Sequence, residues 1–245
     1  MTTTTAAALI IGNELLSGKI ADKNLVVLAQ TLRSLGVSLR RVVMVLDDLD
    51  VIAEEVRELA ASHDWLFTSG GVGPTHDDVT IDAVAKAFGV GVEVSPKLEG
   101  MLRGYYQERV TASHLLMARV PEGARLAASE ANPWPAVVLK NVWMLPGVPE
   151  IFASKMTLVR GELAGSRPYL SFAVLTTLDE GQLKPMLDRV VEEYRDVDIG
   201  SYPKWSEPDY RTKLTFDGFD EARVRAARDA FAASLPEGTL VRLEG

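Results

Sequence analysis

Thr68-Ser69-Gly70-Gly71-Val72-Gly73-Pro74-Thr75-His76-Asp77-Asp78-Val79-Thr80 joins an apolar run, Trp65-Leu66-Phe67, to a segment of helical apolar spacing that ends at Phe88. The run reads as the end of a buried strand and the segment as a helix from Asp78. A Gly-rich turn between strand and helix N-terminus leaves main-chain N–H groups to hold a phosphate. Asp77 and Asp78 alone would repel one, and a divalent cation between acids and phosphate removes the conflict. Thr75 and Asp78 also fit a capping box, with Asp78 reaching back to the Thr75 N–H. Capping explains one Thr and one acid, but not three glycines and a proline.

Outward from this stretch the chain alternates strand and helix. Ala6–Ile11, Leu39–Val45 and Trp65–Thr68 read as strands, with helices over Asp22–Leu35 and Leu49–Ala61 between them. This rhythm predicts a parallel sheet covered on both faces. Ligands of such sheets sit beyond the carboxyl ends of the strands. Gly12-Asn13-Glu14, Asp47-Asp48 and Ser69-Gly70-Gly71 follow the first three strands, so all three loops are expected at one edge. Residues 95–118 read as helical, 120–143 as irregular, Val142–Leu145 as a strand and Pro149–Leu163 as a helix. Gly165-Ser166-Arg167-Pro168 reads as a linker, and the Thr2–Thr5 run as a frayed end. Beyond the linker the order is strand, helix, strand, strand, helix, strand: the ferredoxin-like βαββαβ pattern.

Composition removes several classes. A net charge of −8 argues against nucleic acid, which rewards dense Lys and Arg. Without cysteine there is no thiol nucleophile, thiolate zinc or iron–sulfur site, and a reducing compartment fits. The Ala6–Ile11 run is too short to span a membrane and lacks a basic flank. A cytoplasmic protein is expected. His63, His76 and His114 are far apart in sequence, which disfavours a His-based zinc site, and no serine sits in a nucleophile elbow.

At the predicted edge, either Asp47 or Asp48 is placed to cap the helix near Leu49. Acids from two loops, Asp47 and Asp78, would hold one hard cation through oxygen. Glu14 is a first-turn acid, a metal ligand or a base for water. Ser17, Gly18 and Asn24 are candidates for a phosphate or sugar, and Asn24 equally for a satisfied helix residue. Pro146-Gly147-Val148-Pro149 forms a rigid turn at another strand end.

The Thr68–Thr80 stretch resembles the signature of the molybdopterin-binding domain of the MoaB/MogA/gephyrin type. Its double Asp after Gly-Pro-Thr is similar to the CinA N-terminal branch and to the N-terminal domain of eukaryotic FAD synthases. Ile10 to Lys19 resembles the family opening I-G-[DN]-E-L-L-x-G, Asn24 falls on the family Asn, and Val45 to Asp48 resembles V-x-D-D. Leu145 to Glu150 resembles L-P-G-V-P, and Gly200 to Trp205 resembles a motif in the second domain of stand-alone members. The resemblance implies a three-layer α/β domain with a mostly parallel sheet over residues 1–165. A ferredoxin-like α+β domain would follow over 166–245.

The resemblance further implies a divalent-metal-dependent nucleotide pyrophosphatase acting on ADP-ribose or an FAD-like dinucleotide. Glu14, Asp47 and Asp78 would be catalytic, and Asp47 and Asp78 would bind Mg, Mn or Co. Potassium would serve as a monovalent cation. Gly12, Asn13, Ser17, Gly18 and Asn24 would bind substrate, as would Ser69, Gly70, Gly71, Gly73, Pro74, Thr75 and Asp77. Pro146 and Gly147 would wall the pocket. The alternatives are a molybdopterin-binding protein of molybdenum cofactor biosynthesis, or a non-catalytic nucleotide-binding module. The expected partner is a small nucleotide or pterin phosphate, with neither nucleic acid nor membrane, and the assembly a homodimer. The exposed-looking Tyr202 and Trp205 suit an interface or a lid, or equally a half-buried core.

Two departures stand out. The family commonly has N-P-x-G-x-A-P-G before the last motif, where this chain has Asn132-Pro133-Trp134-Pro135-Ala136-Val137. Missing glycines restrict close approach of backbone to ligand, and Trp134 would stack on a ring or pack. The second is that the C-terminal amidohydrolase domain that CinA proteins often carry is not expected within these 245 residues.

Overall fold

The computed structural model describes residues 4–163, 169–206 and 209–245, and the chain divides into two compact units, 1–166 and 167–245. The expected linker at 165–168 lies outside the described residues. The first unit opens with β1 (Thr5–Ile11), α1 (Asn13–Leu16), α2 (Asn24–Ser34), β2 (Ser38–Val45), α3 (Leu49–Ser62), β3 (Trp65–Ser69) and α4 (Thr80–Phe88). It continues with β4 (Val92–Val94), α5 (Pro96–Tyr106), α6 (Ala112–Leu116), β5 (Arg119–Pro121), β6 (Arg125–Ala127), β7 (Ala136–Leu139), β8 (Val142–Leu145) and α7 (Pro149–Glu162).

The main sheet has the order β2-β1-β3-β8-β7-β6. Its first four strands are parallel, and β7 and β6 are antiparallel additions. Side chains of β1 alternate between two cores. Ala6, Ala8 and Ile10 pack with Leu28, Phe67, Trp143 and Phe152, while Ala7, Leu9 and Ile11 pack with Ile52, Val56, Leu66 and Val84. A strand covered on both faces is apolar throughout, as Ala6–Ile11 is. Burying each large side chain contributes about 1.5–3 kcal/mol, so these two cores hold the helices on the sheet.

Several expectations are corrected. Thr2 and Thr3 lie outside the described residues, but Thr5 is not frayed. It belongs to β1, and its N–H and Oγ1 donate to Asp64 Oδ2 at 2.7 and 2.8 Å. The helix expected from Asp78 begins at Thr80, because Asp78 is spent on a turn with Thr75. The helix expected over 95–118 breaks after Tyr106, where Gln107 takes φ +50°. Thr111 then starts a new helix through a reciprocal capping box with His114, whose ring stacks on Tyr106 at 3.7 Å between centroids. The region expected to be irregular holds β5, β6 and β7. These strands of three or four residues are too short to show a period in sequence.

The second unit comprises β9 (Leu170–Thr176), α8 (Glu180–Glu193), β10 (Asp198–Pro203), β11 (Thr212–Gly218), α9 (Glu221–Ser234) and β12 (Leu240–Glu244). Its antiparallel sheet has the order β10-β11-β9-β12, the ferredoxin-like arrangement. Phe172, Val174, Leu214 and Phe216 of the sheet meet Leu183, Val190, Val224 and Phe231 of the helices. Tyr202 and Trp205 are not core: they are 51% and 89% exposed. Among the described residues, no helix is long and apolar enough to cross a membrane.

Candidate functional site

The carboxyl ends of the four parallel strands line up. Ile11 pairs with Val45, Ile10 with Ser69, and Ser69 with Leu145. The loops leaving these strands are stitched at once: the Gly12 N–H donates to Val45 O and the Gly70 N–H to Leu145 O, each at 3.1 Å. A cleft of about 850 Å³ opens over this edge.

The Gly turn is built to pass close to its neighbours. Gly70 has φ +105° and Gly71 φ +66°. A Cβ on Gly70 would collide with the Ile11 carbonyl oxygen, and one on Gly71 with Thr80 Oγ1. Only glycine accepts both demands. Buried Thr80 closes the turn, its Oγ1 donating to Gly70 O and its N–H to Gly71 O, each at 2.9 Å. The N–H groups of Gly71, Val72 and Gly73 make no hydrogen bond among the described residues. A row of unspent amides in a turn can act as an anion cradle.

Carboxylates ring that cradle. Asp48, not Asp47, caps α3: its Oδ1 accepts from the N–H groups of Asp50 and Val51 at 2.9 and 3.0 Å. Asp47 is thereby left to the cleft. Its Oδ2 accepts the Asn13 N–H at 2.8 Å, and its own N–H donates to Asn13 Oδ1 at 3.3 Å. Burial pushes the Asp47 carboxyl above its ordinary value, the Asn13 N–H opposes that, and the charges of Glu14, Asp77 and Asp78 push it up further. The four acids therefore share one field. Asp78 Oδ2 accepts the Thr75 N–H at 2.7 Å and the Thr75 hydroxyl at 2.5 Å. Glu14 folds over Gly12, where a Cβ would come within 2.7 Å of its Oε1, and Asp78 folds over Gly73 equally closely.

Asn24 is 3% exposed and crosses between two loops. Its Nδ2 donates to Ser69 Oγ at 2.9 Å and to Gly147 O at 2.8 Å. The carbonyl of Gly147 can only accept, which fixes the orientation of the amide. Asn24 Oδ1 is buried with no partner among the described residues.

Gly12 and Glu14, Asp47, the expected residues from Ser69 to Asp78, Asn24, and Pro146 with Gly147 all line the cleft. Asn13, Ser17 and Gly18 do not. Asn13 is turned to Asp47, the Ser17 hydroxyl donates to Glu14 O at 3.2 Å, and Gly18 stands in open space after the single turn of α1. Among the described residues, no three acidic or His side chains converge closely enough to hold a metal ion by themselves. Asp47 and Asp78 each keep one carboxylate oxygen without a hydrogen bond. That pair suits a hard cation that takes its remaining oxygens from phosphate and water.

Two features of the cleft were not singled out from sequence. Asp82 and Arg119 form a bidentate pair at 3.0 and 2.5 Å in its wall. Lys155, only 3% exposed in α7, donates to Trp134 O at 2.5 Å and to Asn132 Oδ1 at 3.4 Å. Burial lowers its pKa from 10.5 to about 8. The sole sequence signal for Lys155 was a charged residue on the inward stripe of a helix, between Phe152 and Met156.

Residues 7–164 match the family described as "Probable molybdopterin binding domain", and residues 168–244 match "FAD synthase, middle domain". A protein of Archaeoglobus fulgidus is 31% identical over 225 residues, covering 92% of this chain and 95% of its own length. The "Probable FAD synthase" of Caenorhabditis elegans is 32% identical over 94% of this chain, which spans half the length of that protein. The crystal structure of CinA from Thermoplasma acidophilum, described as of unknown function, superposes with a TM-score of 0.60 at 29% identity, covering 66% of this chain and 98% of its own. The chain belongs to the molybdopterin-binding-domain family in its CinA-like branch, with the domain pairing found in FAD synthases.

Proposed function

We propose that the first unit binds the phosphoanhydride of a nucleotide such as ADP-ribose or FAD and hydrolyses it with a divalent cation. The observation that carries the reading is one juxtaposition: unspent amides at Gly71 to Gly73 lie among carboxylates from the loops after β1, β2 and β3. Amides favour a phosphate and carboxylates oppose it, and the conflict disappears with a cation between them. Held by the free oxygens of Asp47 and Asp78, Mg, Mn or Co would neutralise phosphate charge and acidify a water. The residues themselves supply the rest. Amides of the Gly turn hold non-bridging oxygens and face the charge that develops on them. Glu14 takes a proton from the water that adds to phosphorus as the anhydride P–O bond breaks. Asn24 keeps the Ser69 and Gly147 loops in register.

The test is product release from ADP-ribose and from FAD with Mg, Mn or Co, with and without excess chelator. Cleavage to monophosphates that stops on chelation is expected. Cleavage indifferent to chelator, or no cleavage with any ion, overturns the reading. Potassium and a homodimer belong to the same proposal, tested by potassium-free dialysis and light scattering.

The family match over residues 7–164 favours a second reading, in which the same amides hold a pterin phosphate during molybdenum cofactor assembly. Saturable binding of molybdopterin, with neither dinucleotide cleaved, selects it. Saturable binding of ADP-ribose without turnover selects a non-catalytic nucleotide-binding module.

A further inference from the structure

The phosphate reading leaves part of the cleft wall unused. Leu98, Met117, Trp134 and Val137 line the cleft and also belong to one apolar cluster. Half-buried Trp134 is braced there by Tyr105, edge to face, with ring centroids 6.1 Å apart. In this apolar region sits the buried ammonium of Lys155. It has three donors. Two are spent on Trp134 O and Asn132 Oδ1, and the third has no partner among the described residues. Among the described residues no carboxylate pairs with it, and burial lowers its pKa. A lysine on the inward face of a helix costs stability, and a hydrocarbon side chain would fill the position more cheaply. Lys155 lines a cleft too large for a pyrophosphate alone.

We propose that Trp134 and Lys155 form a ring subsite, in which the apolar wall takes the face of a planar heteroaromatic ring and Lys155 Nζ donates to an acceptor atom on its edge. The subsite rests on the reading of the Gly turn as a phosphate site. It makes the ligand a nucleotide, with ring and phosphate bound at separate parts of one cleft, rather than a sugar phosphate. A neutral ring acceptor suits this wall better than a second anion, which would have to leave water beside apolar side chains.

The experiment is calorimetric titration of the full chain, with Mg present, by adenosine 5′-monophosphate, by FMN and by ribose 5-phosphate. At least one ring-bearing probe is expected to bind about tenfold or more tighter than ribose 5-phosphate. Lys155→Met and Trp134→Ala should each shrink that preference to about threefold or less and leave ribose 5-phosphate affinity unchanged. Trp134 is half-exposed, so its variant tests the idea even if Lys155→Met fails to fold, as circular dichroism will report. No ring preference in the wild type, or an undiminished preference in the folded variants, overturns the subsite and leaves the phosphate site standing. Loss of ribose 5-phosphate affinity in Lys155→Met also overturns it, because Lys155 then takes the phosphate. If no probe binds the wild type at all, both readings fall.

Discussion

Asn13 and Asp47 clasp each other across the sheet edge: the Asn13 N–H donates to Asp47 Oδ2 at 2.8 Å, and the Asp47 N–H donates to Asn13 Oδ1 at 3.3 Å. The clasp holds one carboxylate oxygen of Asp47 and leaves the other to the cleft. It also joins the loop after β1 to the loop after β2, so the candidate cation ligand is aimed by a structural bond.

Asp47→Asn keeps an acceptor for the Asn13 N–H and removes the charge. Cation affinity should fall about tenfold or more. The stability effect has a defined sign. A carboxyl raised above 3.8 in the folded state is destabilising when ionised, so its favourable contribution is present below 3.8 and lost as pH rises through the folded value. Without cation, the variant should therefore gain stability over wild type at pH 7 and lose that gain toward pH 3.5. Urea midpoints at the two pH values decide it, and an equal difference at both would show that Asp47 feels no such field.

Asp78→Asn should abolish cleavage while leaving the melting temperature nearly unchanged. Asn can still accept from the Thr75 N–H and hydroxyl, but it lacks the charge that holds a cation. Normal turnover would reduce Asp78 to a turn former.

Gly70→Ala should cost about 2 kcal/mol or more, because a positive φ and a collision with the Ile11 carbonyl both act against a methyl group. Phosphate affinity should fall with it, as the amide row is carried by the same turn. Chemical denaturation and a phosphate titration measure the two effects.

Lys155 predicts a basic-side signature. Its pKa is about 8 when folded, against an ordinary 10.5. Between these values the unfolded chain keeps the proton and the folded chain does not, so folding stability rises with pH across this window. The buried charge costs about 3 kcal/mol below pH 8, and this penalty vanishes above 10.5. Relative to Lys155→Met, wild-type stability should climb between pH 8 and 10. A constant gap would mean that the ammonium is better solvated than its burial implies.

A chain ended at Gly165 should keep phosphate and cation affinity, since the residues lining the cleft run from Ile11 to Lys155. Titration and light scattering on that truncation are the check. A well-behaved dimer without ligand binding would bring Lys204 or Trp205 into the site.

The alternation of strand and helix was legible in the sequence because its causes are local. An unbroken apolar run such as Ala6–Ile11 has to be covered on both faces, and glycines at 70 and 71 mark a turn that no other residue enters without strain. Parallel pairing then carries the loops after β1, β2 and β3 to one edge, whatever the details of packing. Choices between neighbours were not local. Asp47 and Asp48 are equal as letters, and only the direction of the chain leaving β2 gave the cap to Asp48 and the cleft to Asp47. The role of Asn24 rests on Ser69 and Gly147, 45 and 123 residues away. Strands β5 to β7 exist because neighbours accept their hydrogen bonds, not because three residues set a period. Lys155 reads as an ordinary helix residue until Trp134 and Asn132 close over it. The sequence by itself determined the scaffold and the edge that carries the site. Tertiary structure decided which side chains point into the site and at what electrostatic cost, since hydrogen bonding and desolvation depend on partners that only the fold brings together.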